Sequence, residues 1–172
     1  MNLLSVVLFL PLAGFVVALL VPRSSPGSSR WWALVISLIT FAASLALPFQ
    51  FDYGVTGEQF KIDVPWIASP QIRFYLSADG VALWLLLLST FLTPICVLIS
   101  WRSIQNRVKE FYAFLLLLEV GLIGVFIAQD LFLFYVFWEV SLVPMYLLIG
   151  IWGHERRIYA AVKFFLFTFA GL

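Results

Sequence analysis

Residues 112–152 read YAFLLLLEVGLIGVFIAQDLFLFYVFWEVSLVPMYLLIGIW, and this stretch decides the fold. Two apolar runs, 112–128 and 131–152, flank a turn at Gln129-Asp130. Each comes close to the roughly 20 apolar residues that a helix needs to cross a bilayer. So short a turn makes consecutive helices antiparallel neighbours. Each run carries one carboxylate. Glu119 lies about ten residues before the turn and Glu139 about ten after it. At 1.5 Å per residue both fall about 15 Å from one surface, near the middle of a ~30 Å hydrocarbon core.

The same pattern extends outward. Residues 3–21, 31–49 and 81–101 form three further apolar runs, and a sixth begins near Ile158. From there only about 15 residues remain, roughly 22 Å of helix, which is short of a full crossing. The run is still apolar at Leu172, with no polar flank. The expectation is the N-terminal part of a longer membrane protein, with residues 1–172 as a single transmembrane region. The first run lacks a basic leader and is longer than a signal-peptide core, so it reads as a retained helix. The fold class is all-α, a polytopic transmembrane bundle of six predicted helices, the last incomplete.

Composition agrees. Of 172 residues, 63% are hydrophobic and 11% charged, with a mean hydropathy of +1.06. Soluble domains carry about a quarter charged residues, so that class is excluded. With no basic block and no glycine-rich phosphate loop, nucleic acid is not an expected partner, and the lipid bilayer is. Cys96 is the single cysteine and lies in an apolar run, which leaves no disulfide framework and no metal cluster. It reads as a packing residue, as do both methionines. His154 sits in a charged loop and reads as solvated.

Charge alternates between loops. Arg23 and Arg30, then Arg102, Arg107 and Lys109, then Arg156 and Arg157 mark the first, third and fifth loops. The second carries Asp52, Glu58, Asp63 and Asp79 against Lys61 and Arg73, and the fourth holds Asp130. The positive-inside rule places the basic loops in the cytoplasm and the N-terminus outside. Trp31, Trp32, Trp101 and Trp152 fall at span ends, as in an aromatic belt. In the second loop Phe60, Ile62 and Val64 alternate with polar neighbours, and Ile72, Phe74 and Leu76 do so after Ser69-Pro70. Either a hairpin turns there or an irregular loop lies over the helix ends.

Three ionisable residues sit inside spans: Glu119, Glu139 and Lys163. At a helix centre each costs about 2.5–3.5 kcal/mol on insertion scales, and proton relays are a common reason for such residues. At equal depth on adjacent helices, Glu119 and Glu139 either interact and hold protons jointly or bond separately to unrelated neighbours. Tyr135, Leu142 and Tyr146 share the helix face of Glu139; the phenols serve either as its hydrogen-bond partners or as packing rings. Pro144 removes the donor for the Val140 carbonyl, so a bend is expected just beyond the glutamate. Lys163 either snorkels to the interface or supplies a positive partner for a buried carboxylate. Gly121 and Gly124 indicate close helix approach.

The run Phe137-Trp138-Glu139-Val140-Ser141-Leu142-Val143-Pro144-Met145-Tyr146, followed by Leu147-Leu148-Ile149-Gly150-Ile151-Trp152-Gly153, closely resembles a known family. It is similar to subunit M (chain 4) of proton-pumping NADH–quinone oxidoreductase, respiratory complex I, within the antiporter-like membrane proteins. Leu76-Ser77-Ala78-Asp79-Gly80, Leu117-Leu118-Glu119-Val120-Gly121 and Tyr159-Ala160-Ala161-Val162-Lys163-Phe164-Phe165 agree as well. The resemblance implies a larger bundle with two pseudosymmetric halves related by inversion. It implies a proton channel in which the family's fifth-helix glutamate matches Glu139 and its fourth-helix glutamate matches Glu119. Lys163 matches a sixth-helix lysine; the family's principal lysines lie on later helices.

The resemblance further implies a subunit of an enzyme complex with no cofactor of its own, NADH, FMN, iron–sulfur clusters and quinone belonging to partner subunits. Those partners are the other membrane-arm subunits, sister antiporter-like subunits especially. The expected setting is a bacterial plasma membrane, with an organellar membrane as the alternative. The competing readings are a cation/proton antiporter or membrane-bound hydrogenase subunit of the same superfamily, and a scaffold subunit whose buried charges only hold helices together.

Overall fold

The computed structural model describes residues 2–20, 22, 25–55, 57–67 and 72–171. Arg23 and the Ser69-Pro70 turn lie outside the described residues. The chain forms α1 (Leu3–Leu20), α2 (Pro26–Leu45) and its short continuation α3 (Leu47–Gln50), then strands β1 (Gln59–Ile67) and β2 (Ile72–Ala78). Helices α4 (Gly80–Ser103), α5 (Val108–Ile127), α6 (Leu131–Trp152) and α7 (Arg157–Ala170) follow. Five helical stretches are long and apolar enough to cross a membrane, with α2 and α3 counting as one, Pro26–Gln50. Helix α7 has 14 residues, about 21 Å, in keeping with the short sixth run.

Polar residues at the apolar boundaries fix the helix starts. The Asp79 carboxylate accepts the Ala82 backbone N–H at 2.7 Å. The Asp130 carboxylate accepts those of Phe132 and Leu133 at 2.9 and 3.2 Å. Each acid satisfies donors that the first helical turn cannot pair internally. The acidic residues of the second and fourth loops therefore cap α4 and α6 as well as charging that face. Helix α5 begins at Val108, four residues before the apolar run. Its first turn reaches across to α1, where Lys109 Nζ donates to the Leu19 carbonyl at 2.6 Å. That end of the bundle, with Arg30, Arg102, Arg107 and Lys109, is the basic face; the opposite end is the hairpin face.

The second loop is a hairpin. Strands β1 and β2 pair antiparallel with Ile62 opposite Leu76 and Val64 opposite Phe74. Phe60, at φ 57°, marks an irregularity near the start of β1. Ile72 and Leu76 turn inward and are buried, whereas Val64, Trp66 and Ile67 of β1 stay exposed. The Gln129 backbone N–H donates to the Tyr75 carbonyl at 3.0 Å, and Leu76 bridges to Ala128, so the sheet is tied to the α5–α6 turn. Arg73 and Asp63 form an ion pair at 2.7 Å across the strands.

Tyr75 donates its phenol proton to Glu58. This bond, with Lys61 nearby, holds the Glu58 carboxyl below its ordinary 4.5. A depressed folded pKa means that the group stabilises the hairpin above its unfolded pKa and stops doing so as pH falls through the folded one. The protection of the amides of residues 59–67, their exchange relative to the intrinsic rate at each pH, is therefore expected to fall in the full-length protein in nanodiscs as pH drops below about 4.5. Tyr75→Phe should remove most of that dependence. An unchanged profile in Tyr75→Phe would show that the bond does not support the strands.

Helix α5 sits at the centre, packed against α1, α2, α4 and α6, while α7 packs on α6. One apolar cluster joins Leu4 and Leu8 to Leu83, Leu86, Ile123 and Phe137 near the hairpin face. A second joins Ala33, Ile36 and Val97 to Tyr112 and Leu116 toward the basic face. The closest approach is between α5 and α6. A Cβ on Gly121 would lie 2.7 Å from the Ser141 backbone, and one on Gly124 would run into the Phe137 ring. In lipid, where hydrophobicity does not drive helices together, small residues permit this contact.

Candidate functional site

Glu119 lies in the middle of α5 with 1% of its surface exposed. Neither carboxylate oxygen has a hydrogen-bond partner among the described residues. The Thr93 side chain of α4 is its polar neighbour, but that hydroxyl donates to the Ser89 carbonyl at 3.1 Å. A hydroxyl whose proton is engaged offers only lone pairs, so it cannot donate to a carboxylate. Glu119 is thus a buried acid whose polar neighbour, Thr93, directs its proton to the Ser89 carbonyl.

Glu139 is half-buried on α6. The expected pairing with Glu119 is not what the fold builds. Helix α5 meets α6 through Gly121 and Gly124 against Ser141 and Phe137. At about 100° per residue, Glu119 points roughly 140–160° away from that seam and Glu139 roughly 160° away from it. The glycine register also offsets the two in depth by three to four residues, about 5 Å. Counting residues from the turn gave nearly the right depth but could not give the facing. The two carboxylates occupy opposite sides of the α5–α6 pair and act as separate sites.

The residues around Glu139 are accounted for by packing. Tyr135, 38% exposed, sets its ring against Phe134 at 5.8 Å, and Tyr146 packs on Phe165 of α7 at 5.5 Å. Helix α6 continues through Pro144, which is buried. Helix α7 approaches α6 with Ala161 against Gly150. Lys163, two positions on, is exposed about 160° around α7 from that contact. Its ammonium lies 5.8 Å from the ring centres of Tyr159 and Phe167, within cation–π range. The structure therefore does not bring Lys163 to either glutamate.

A polar set absent from the sequence reading lines the contact of α2, α4 and α5. Ser37, Thr40 and Ser44 of α2 and Thr90 of α4 are fully buried, and Ser44 and Thr90 hydroxyls lie 2.8 Å apart. Tyr112, two turns before Glu119 on α5, is also buried, with Arg30 as its polar neighbour. The signal was present as Ser29, Ala33, Ser37, Thr40 and Ser44, a stripe of small and hydroxyl residues at helical spacing.

Comparison with known proteins finds membrane subunits similar to this chain. The chain is 46% identical over 174 residues to the NADH-quinone oxidoreductase subunit M of Rhodobacter capsulatus, an alignment covering 99% of this chain and 33% of that protein. It is 41% identical over 169 residues to the NADH-ubiquinone oxidoreductase chain 4 of Arabidopsis thaliana, covering 98% and 34%. The profile of the NADH:quinone oxidoreductase/Mrp antiporter transmembrane family matches residues 128–172. The chain is similar to these antiporter-like membrane subunits along nearly its whole length.

Its fold agrees. It superposes on a chain of the respiratory complex I from Thermus thermophilus with bound NADH at a TM-score of 0.81 and 27% identity, covering 99% of this chain and 33% of that one. The chain spans about a third of the length of the relatives it matches. With five apolar spans and a match to a membrane-subunit family profile, it is a multi-pass membrane protein. Glu139, Pro144 and Lys163 fall inside the segment matched by the family profile, whereas Glu119 and the hydroxyl set precede it.

Proposed function

We propose that the protein is a proton-translocating membrane-arm subunit of an NADH–quinone oxidoreductase. The observation that carries this reading is the likeness to subunit M along 99% of the chain. The chemistry of the site supports it. Glu119 and Glu139 take up and release protons inside the membrane, and each does so separately, because they face opposite sides of the α5–α6 pair. Charge changes on neighbouring groups shift the proton occupancy of Glu139, and chains of water deliver and remove the proton. Tyr135 and Tyr146 bound the helix face that Glu139 occupies, and Pro144 leaves the Val140 carbonyl open to water. Lys163 is a mobile cation of the basic face.

In this reading the subunit belongs to an enzyme complex and performs no redox chemistry itself. NADH, FMN, iron–sulfur clusters and quinone sit in other subunits, and sister antiporter-like subunits flank this one. Residues 1–172 make one transmembrane region. The charge asymmetry of the loops orients the basic face to the cytoplasm and the N-terminus outside, in a bacterial plasma membrane. The second reading, a cation/proton antiporter subunit, draws on the family profile, whose description covers both classes.

The two readings separate in inverted membrane vesicles. With the full-length protein present, NADH should drive proton uptake that needs quinone and is indifferent to sodium, and deleting the protein should abolish it. Proton movement that follows a sodium gradient without NADH would replace this reading with the antiporter one.

A further inference from the structure

A groove between α2 and α4 lies at the basic end of the bundle. It holds about 490 Å³ and is lined by Trp31 and Leu34 of α2 and by Leu98, Ile99, Trp101 and Arg102 of α4. Helix α2 begins at this face and α4 ends there, and their ends are tied together. Arg30 of α2 donates through Nη2 to the Ile104 carbonyl at 2.9 Å and to Gln105 Oε1 at 3.2 Å. The Gln105 amide in turn donates to the Arg102 carbonyl at 2.7 Å. The backbone of Arg102 is thereby fixed while its side chain stays exposed. Trp31 and Trp101 meet edge to face with ring centres 5.2 Å apart, so the protein's own contacts shape the groove.

The charge around it has one sign. Residues 26–50 and 80–109, which contain both walls and the loop after α4, hold Arg30, Arg102, Arg107 and Lys109 and no Asp or Glu. The next acid along, Glu110, lines a different cavity. Arg30 is engaged in the tie between the helices. Among the described residues the Arg102 guanidinium makes no hydrogen bond or ion pair with the protein, and the ion pairs of Lys61 and Arg73 lie on the hairpin. The tryptophans divide in the same way. Trp32 and Trp152 donate to the Gly14 and Asn106 carbonyls at 2.9 and 2.8 Å. The indole N–H groups of Trp31 and Trp101 have no acceptor among the described residues.

Depth adds the second constraint. Arg102 stands in the last turn of α4, one residue beyond the apolar run, at the level of lipid headgroups. Leu98 and Ile99 lie one turn deeper, about 5 Å, and both are exposed, with Leu34 buried behind them. Unspent donors above and exposed apolar walls below fit an amphiphile with an anionic head and hydrocarbon tails. Inorganic phosphate would leave Leu98 and Ile99 uncovered, and a zwitterionic lipid would bring an ammonium of its own to an arginine.

We propose that the groove between α2 and α4 seats an anionic phospholipid, with its phosphodiester on Arg102, its ester region against Trp31 and Trp101, and its acyl chains along Leu98 and Ile99. The guanidinium fork matches two phosphate oxygens at once, and basic pockets between membrane helices suit anionic headgroups. The site needs only the membrane setting and is independent of the proton chemistry proposed above.

Photo-crosslinking in the assembled complex tests it. The complex is placed in phosphatidylcholine nanodiscs carrying, at low mole fraction, either phosphatidylglycerol or phosphatidylcholine with a diazirine in one acyl chain, and adducts are mapped by peptide mass spectrometry. Adducts at residues 98–101 should be about fivefold more abundant with the phosphatidylglycerol probe, the factor equivalent to the ~1 kcal/mol that one arginine contributes at an anionic surface. Val81 and Trp84, exposed at the other end of α4, should show no such preference. Arg102→Gln should abolish the preference at 98–101, and Arg102→Lys should keep most of it. Equal yields from the two probes at 98–101, or a preference unchanged in Arg102→Gln, would overturn the proposal. Absence of adducts there with either probe would overturn it too, because protein would then cover the groove. Should Arg102→Gln prevent assembly, the two-probe comparison on the unaltered complex decides alone. These readouts report lipid and not pumping, so the vesicle experiment still decides the function independently.

Discussion

Leucine at Gly124 is expected to remove the subunit from the assembled complex. At this position even a Cβ would collide with the Phe137 ring, and Phe137 is itself buried in the cluster joining α1, α4, α5 and α6. Overpacking usually costs about 1–3 kcal/mol where neighbours can shift. Here the neighbour is a ring wedged between helices, and one turn away Gly121 already faces the Ser141 backbone, so α6 has nowhere to retreat. Against total stabilities of about 5–15 kcal/mol, a four-carbon side chain at the contact is severe. The amount of assembled complex on a native gel measures the loss. Adding Phe137→Ala should restore part of it by vacating the ring's volume. Normal assembly of Gly124→Leu alone would mean that α5 and α6 do not meet through these glycines.

Glu139→Gln is expected to do the opposite, leaving assembly intact and collapsing proton pumping. Glutamine has the same shape, and Glu139 is a half-buried residue whose neighbouring rings are held by other contacts: Tyr135 by Phe134 and Tyr146 by Phe165. Among the described residues Glu139 forms no ion pair on which helix packing depends. What it removes is the ability to bind and release a proton near the middle of the membrane. The scaffold reading, in which buried charges only hold helices together, predicts the reverse, a complex that fails to form.

Much of this molecule is legible in its sequence. The five spans follow from run length, since any apolar stretch of that size must satisfy its backbone internally as helix. The start of α5 lies four residues before the apolar run, because Lys109 and Glu110 look like loop residues until α1 is present to receive the Lys109 ammonium. The hairpin alternation was visible, yet choosing it over an irregular loop required the contacts of Leu76 with Ala128 and of Tyr75 with Gln129, which join distant segments. The close approach at Gly121 and Gly124 follows from their small size and spacing.

The relation of the two glutamates was not legible. Periodicity says which residues share a face of one helix and nothing about which neighbour lies on that face. Glu119 and Glu139 looked like partners because their distances from the turn match; the glycines rotate both away from the shared seam. The hydroxyl stripe on α2 is hard to read from sequence for a related reason. Serine and threonine in apolar helices commonly bond their own backbone, as Ser37 and Thr40 do. That they line the contact of α2 with α4 and α5 shows only in the fold.

The most direct test is the ratio of protons translocated to NADH oxidised in sealed membranes carrying Glu139→Gln in the full-length subunit, with assembly checked on the same membranes. The account predicts a normally assembled complex whose ratio and coupled turnover collapse. An assembled Glu139→Gln complex that pumps at the wild-type ratio would contradict it.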